Sequence, residues 1–146
     1  MAKYKLEGLD EVLKMLKDVE SLPQKCVNKS ARNGAKIPQK DAKSNAPFLT
    51  GDLESGIVLK AEKTTKKGKK VYQITIDNSM NDVFQKKNKE GKVTGYYPAS
   101  MEYGWIMENG MKHEGLHFMR NSIDNNSSKI ESTMVNVLAD EIDKLR

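Results

Sequence analysis

The chain has 146 residues, 37% of them hydrophobic and 31% charged, which suits one domain with a lean core and leaves too little for two. The single cysteine, Cys26, excludes an internal disulfide and fits a reducing compartment. No apolar run approaches the roughly 20 residues of a membrane-spanning helix, and the charged N-terminus lacks the apolar stretch of a signal peptide. The expectation is a protein made and kept in a cytoplasm, with no membrane partner.

The formal charge is +5, and it is local. Residues 60–70 carry six lysines against one glutamate, and residues 86–92 carry four against one, which leaves the remainder of the chain at −3. Basicity belongs to two short segments and not to the whole surface.

In chain order, Tyr4–Leu6 reads as a short strand or extended lead-in. Leu9, Val12, Leu13, Leu16 and Val19 then recur at helical spacing, predicting an amphipathic helix over residues 9–20. Ser21 and Gln24 have the spacing of a capping box, with Pro23 placed where a missing N–H costs least, so a second helix is expected to begin there. Its inner face, Val27, Ala31, Gly34, Ala35, Ala42 and Ala46, is built of small residues that permit close backbone approach. Cys26 reads as a small half-buried residue of this helix and not as a nucleophile. Pro38 is expected to kink or interrupt the helix and Pro47 to end it.

The middle of the chain changes character. Ile57–Leu59 and Val71–Ile76 read as strands, with Tyr72, Ile74 and Ile76 on one face of the second. Between them lies a polar lysine-rich loop, and a second polar stretch covers about residues 85–95. Pro98–Tyr103 reads as a short helix with Pro98 in its first turn. Phe118, Ile123, Ile130, Met134, Val137, Leu138, Ile142 and Leu145 form a helical stripe interrupted at Asn125–Lys129, where poor helix formers predict a bend. The fold class expected is α+β: N-terminal helices and a long C-terminal helix packed on a small antiparallel sheet of about three to four strands, as a single domain over residues 1–146.

One segment has the spacing of a catalytic motif. His113-Glu114-Gly115-Leu116-His117 matches H-E-x-x-H, in which two histidines one helical turn apart hold Zn²⁺ and the glutamate acts as general base. Gly115 costs about 1 kcal/mol inside the helix this chemistry needs. The preceding Glu108–Lys112 reads as loop, and no third histidine exists. A loop leading into a helix is the preferred reading, with no catalytic, cofactor or metal residues assigned and a small zinc hydrolase as the least favoured alternative. The lysines Lys63, Lys66, Lys67, Lys69 and Lys70, with Lys86, Lys87 and Lys89, fit either solvated loop tips or sequence-independent contact with phosphates. Aromatic residues are nearly absent from both runs, so base stacking is not supported. A small basic nucleic-acid-binding protein is the main alternative on composition alone.

Three segments, in order, resemble a known family. Ala46-Pro47-Phe48-Leu49-Thr50-Gly51-Asp52-Leu53-Glu54-Ser55-Gly56-Ile57 is similar to the A-P-x-x-T-G-x-L-x-x-S-I signature of the tail-completion, or head–tail joining, proteins of long-tailed bacteriophages and prophages. Tyr97-Pro98-Ala99-Ser100-Met101-Glu102-Tyr103-Gly104 resembles that family's Y-A-x-x-x-E-x-G element. Gly115 through Ile123 resembles its H-P-F-L-R-P-A-L lead-in to the last helix, with His117, Phe118 and Arg120 at the matching positions. The opening Leu6-Glu7-Gly8-Leu9-Asp10 is also usual there.

The resemblance implies a non-enzymatic virion protein of the neck. It implies a ring of identical subunits, commonly sixfold, between the head connector and the tail tube or its terminator, with non-specific DNA contact open to the lysine loops. Under it, Thr50-Gly51 turns from helix to first strand, Leu53 and Ile57 enter the core, Glu102 and Gly104 shape a turn near the sheet, and Phe118 anchors the final helix.

Overall fold

The computed structural model describes residues 9–145, with side chains described from Ser21 onward. The expected lead-in at Tyr4–Leu6 and the opening Leu6-Glu7-Gly8 lie outside the described residues, as do the side chains of the Leu9–Val19 stripe.

The architecture is α+β. One helix, α1 (Leu9–Asn45), runs unbroken through both Pro23 and Pro38, so the two expected helices are one. A proline inside a helix costs about 3 kcal/mol through a lost hydrogen bond and a local clash, but that penalty is confined to one turn. The periodicity on either side is helical, and from Gln24 onward α1 is held by the β1–β2 loop, α5 and α6. Ser21 is therefore interior to the helix. Gln24, instead of closing a capping box, accepts from the Gly68 N–H at 2.7 Å and donates to the Lys69 carbonyl at 3.3 Å. It ties the lysine-rich loop to α1.

The main partner of α1 is α6 (Ser127–Asp143), preceded by the short α5 (Phe118–Asp124). The small-residue face does what its composition implies. A Cβ at Gly34 would lie 2.5 Å from Cγ of Met134, and buried Ser30 donates to the Met134 carbonyl at 2.6 Å. Cys26 and Ala31 are buried along the same stretch. The expected bend falls at Asn125-Asn126. There the Asn126 amide donates to Asp41 Oδ2 at 2.9 Å and to the Ser122 carbonyl at 2.8 Å, latching the break to α1.

Strands β1 (Ile57–Ala61) and β2 (Tyr72–Ile76) pair antiparallel, with Ile57 opposite Ile76 and Leu59 opposite Ile74. Ile74 and Ile76 pack on the core as the alternation requires. Two further hairpins follow: β3 (Gln85–Lys87) with β4 (Val93–Tyr96), and β5 (Gly104–Ile106) with β6 (Lys112–Glu114). The strands thus form three separate two-stranded ladders where one sheet of three or four strands was expected. The polar stretch at 85–95 is one of these hairpins. The three-residue strands are too short to carry a periodicity signal, so their pairing was not legible. The short helices α3 (Asn81–Phe84) and α4 (Tyr97–Tyr103) lie on either side of the β3–β4 hairpin in sequence, and α4 has Pro98 in its first turn, as expected.

The central cluster is small: Ala42, Leu53, Ile57, Phe84 and Phe118 are buried together, with Tyr96, Tyr97, Met101 and Met119 packed around them. Among the described residues, no helix is long and apolar enough to cross a membrane.

Candidate assembly surface

The three motif segments, distant in sequence, meet at this cluster. In the first, Gly51 adopts a left-handed conformation (φ 85°) that glycine tolerates without a Cβ penalty. The Thr50 hydroxyl is hydrogen-bonded to the Asp52 carboxylate. The chain does not turn directly into a strand here. A short helix, α2 (Asp52–Gly56), intervenes, and its spacing places Leu53 and Ile57 one turn apart on the face that enters the core. Pro47 is half-buried beside it.

The second and third motifs are joined by one side chain. Glu102, only 5% exposed, accepts from the N–H groups of Met119 at 2.9 Å and Arg120 at 3.1 Å. It satisfies two of the orphan donors of the first turn of α5 and complements that helix end with negative charge. The backbone alongside is also tied down: Leu116 N–H donates to the Met101 carbonyl and His117 N–H to the Glu102 carbonyl, at 2.8 and 3.1 Å. Glu102 was expected to shape a turn; its structural role is to cap a helix from a distance.

Gly104 (φ 85°) carries the chain from α4 into β5. A Cβ there would lie 2.1 Å from the His113 carbonyl oxygen, and one at Gly115 would lie 2.2 Å from the Glu102 carbonyl oxygen. The crossing has room for neither. Phe118 is buried as the anchor of α5, and Arg120 reaches outward to Asp124 at 3.6 Å.

The H-E-x-x-H segment does not have the geometry its chemistry would need. His113 and Glu114 lie in β6, and His117 is left-handed (φ 49°) at the start of α5, so the histidines are not one helical turn apart. His113 stacks on Trp105 with ring centroids 4.6 Å apart. His117 packs edge-on against Tyr103, and its Nδ1 is buried with no hydrogen-bond partner among the described residues. Among those residues no group of three His, Cys, Asp or Glu side chains comes together as a metal site would require.

The lysine segments stay apart from this cluster. Lys63, Lys66, Lys67 and Lys69 are exposed on the β1–β2 loop. Lys70 is committed within the loop, donating to the Glu62 carbonyl at 2.8 Å and lying over the Tyr72 ring. Lys86, Lys87 and Lys89 are exposed on the β3–β4 hairpin, where Lys87 pairs with Asp82 at 3.5 Å.

Around the core, large apolar side chains are left in water. Phe48 and Leu49 are 81% and 76% exposed in the turn before Gly51, and Val83 borders them. Together with Pro47, Leu53, Phe84 and Tyr97, Leu49 and Val83 line an apolar groove of about 520 Å³. Ile106, Met107 and Met111 are exposed on the β5–β6 hairpin. Apolar side chains scattered singly over a surface are ordinary; contiguous ones, as Leu49 and Val83 are at this groove, mark candidate binding surfaces.

Sequence reasoning missed this hairpin, although Asn109-Gly110 between Trp105-Ile106 and Met111–His113 is a recognised turn signal. It also missed Phe84, buried within an otherwise polar stretch. Neither the helix defect that Gly115 makes in H-E-x-x-H nor its place at the head of the third motif points to the close crossing with Gly104. No protein-family model matches the chain, and neither a curated protein nor a solved structure matches it.

Proposed function

We propose that this chain is a non-catalytic structural subunit of the neck of a long-tailed bacteriophage or prophage. It is a tail-completion, or head–tail joining, protein, made in the host bacterial cytoplasm. It assembles as a ring of identical copies between the head connector and the tail tube or its terminator.

The observation that carries this reading is the convergence of the three family-like motifs on one cluster. Leu53 and Ile57 of the first, Tyr97 of the second and Phe118 of the third share that cluster. Glu102 of the second caps the helix that the third begins. The exposed apolar side chains support a chain whose burial is completed by neighbours, since stable interfaces need about 800 Å² from each partner. The lysines of the β1–β2 loop and the β3–β4 hairpin are assigned to contact with an adjoining ring or with DNA in the channel.

Deleting the gene from a phage that carries it tests the proposal. Filled heads and complete tails should accumulate unjoined, and purified protein should restore joining. Normal virions from the deletion strain would overturn it.

A further inference from the structure

The outer face of α1 carries a row of cations. Lys25, Lys29, Arg32, Lys36, Lys40 and Lys43 recur three or four residues apart, which confines them to an arc of about 80° on the helix. The buried Ser30, Gly34, Pro38 and Ala42 lie on the opposite side. Four of the six cations are exposed, and Lys29 and Lys43 are half-buried. At 1.5 Å per residue the row is about 27 Å long. It is continuous because α1 does not break at Pro38. Between Ser21 and Asn45 the one acid is Asp41, so basicity is not confined to the two loops. We propose that this row binds the phosphate backbone of double-stranded DNA, without regard to base sequence.

A helix face that meets only water ordinarily mixes both signs of charge. Opposite charges three or four places apart stabilise a helix, and like charges there destabilise it. All five consecutive pairs along this row are like-charged. Among the described residues only Lys29 of the six has an ion pair, with Glu141, whose carboxylate Lys144 shares.

The first turn of α6 extends the row sideways. Lys129 lines a cleft of about 370 Å³ with Lys36, Lys40, Ser44 and Asn126. Asp41 lies there too, but its oxygens accept from the Asn126 and Asn45 amides at 2.9 and 3.1 Å. It makes no ion pair with the lysines around it. Seven cations thus stand against two carboxylates, Asp41 and Glu141.

Composition selects the partner. Protein interfaces are enriched in arginine and aromatic residues and depleted in lysine, whereas five of the six cations of the row are lysines. A helix that lies on an anionic membrane needs large apolar side chains beside its basic ones, and none is exposed on α1 from Ser21 onward. Single strands call for aromatic stacking, and residues 21–45 contain no aromatic side chain. Lysine ammonium groups act as point charges toward phosphates, and one arginine is too little to read base edges. Duplex DNA offers a phosphate charge about every 1.7 Å along its axis, which an extended row of cations can follow. The inference stands on charge and geometry and does not need the neck assignment.

Fluorescence anisotropy of the full chain with a short labelled DNA duplex of arbitrary sequence tests it. Affinity should fall steeply as salt is raised. Arg32→Gln, Lys36→Gln and Lys40→Gln together should weaken binding about tenfold or more and make the salt slope shallower by about two to three, since each phosphate contact contributes about 0.9. Lys36→Arg with Lys40→Arg keeps the charge and should bind as the wild type does. The urea midpoint of the glutamine variant should be unchanged or raised, because like-charge repulsion is relieved. A lowered midpoint would show that the row serves the fold and would overturn the inference. So would a wild type that shows no salt-dependent binding, or a glutamine variant indistinguishable from it. Lys63→Gln, Lys66→Gln and Lys67→Gln together should cost less than the changes on α1; an equal loss would move the site to the loop. Stronger competition by a single strand or an RNA duplex would overturn the choice of duplex DNA. Failure on any of these counts leaves the neck reading to the deletion phenotype.

Discussion

Gly104 and Gly115 cross so closely that a Cβ on either would strike the backbone of the opposing segment, at 2.1 Å for Gly104 and 2.2 Å for Gly115. Backbone atoms cannot swing aside as a side-chain tip can. The crossing holds the end of α4 against the start of α5, which is also where Glu102 makes its two cap bonds. Geometry at this one place sets the angle between the second and third motifs.

Gly104→Ala is therefore expected to cost about 3 kcal/mol or more, combining overpacking of about 1–3 kcal/mol with an alanine forced to φ 85°, ψ −178°, a region essentially restricted to glycine, at about 1–3 kcal/mol. Gly68→Ala is the control. Gly68 also has a positive φ (76°), but nothing lies near its missing Cβ, so only a conformational cost of about 1–2 kcal/mol should appear. Urea unfolding midpoints of the two variants measure the difference. Equal losses would show that the crossing is not tightly packed.

Glu102→Ala leaves two helix N–H groups without their acceptor in a buried setting, and should destabilise by about 2–3 kcal/mol, as expected for bonds to a charged group. Glu102→Gln keeps one acceptor oxygen and should lose roughly half as much. Chemical denaturation of both, compared with the wild type, gives the ordering. A glutamine variant as unstable as the alanine would mean that charge and not hydrogen bonding carries the cap.

The α1–α6 pairing ends in a carboxylate shared by two lysines. Glu141 accepts from Lys144 at 2.8 Å and from Lys29 at 2.5 Å, and these bonds hold its carboxyl below the ordinary range. The unfolded chain then takes up this proton at a higher pH than the folded chain does. The stabilisation is fully present above the ordinary carboxylate range and is lost as pH falls through the lowered folded value. Glu141→Gln should melt below the wild type at neutral pH, and the two curves should converge on acidification. The gap should also narrow in high salt. A gap independent of pH would point to packing.

How far these features were legible in the sequence depended on the kind of signal. The small-residue face of α1 and the Asn125-Asn126 break were readable because helical periodicity and poor helix formers act locally. The unity of α1 was not, because Pro23 and Pro38 carry the local signal of interruption while packing decides the outcome. Glu102 was singled out by its motif, but its partners lie 17 and 18 residues away, and no local pattern specifies such a cap. The groove is assembled from the Pro47–Leu53 segment, Val83-Phe84 and Tyr97. It is a property of tertiary packing and was invisible in advance.

Changing Lys63, Lys66, Lys67 and Lys69 to glutamine should leave folding nearly unaffected, within about 0.5 kcal/mol for exposed positions. Lys70 is left in place because it holds the loop together. Under the neck assignment, the same variant should lower the yield of joined particles or let packaged DNA leak, read as plaque titre and nuclease-sensitive DNA. Full titre with a stable chain would show that these lysines are only a solvated tip.

Immunogold electron microscopy of purified virions addresses the proposed location most directly, using antibody raised against this chain. Gold clustered at the junction of head and tail, in wild-type particles and not in deletion particles, is the predicted result. Virions free of the protein, or label spread over capsid or tail fibres, would contradict a neck subunit.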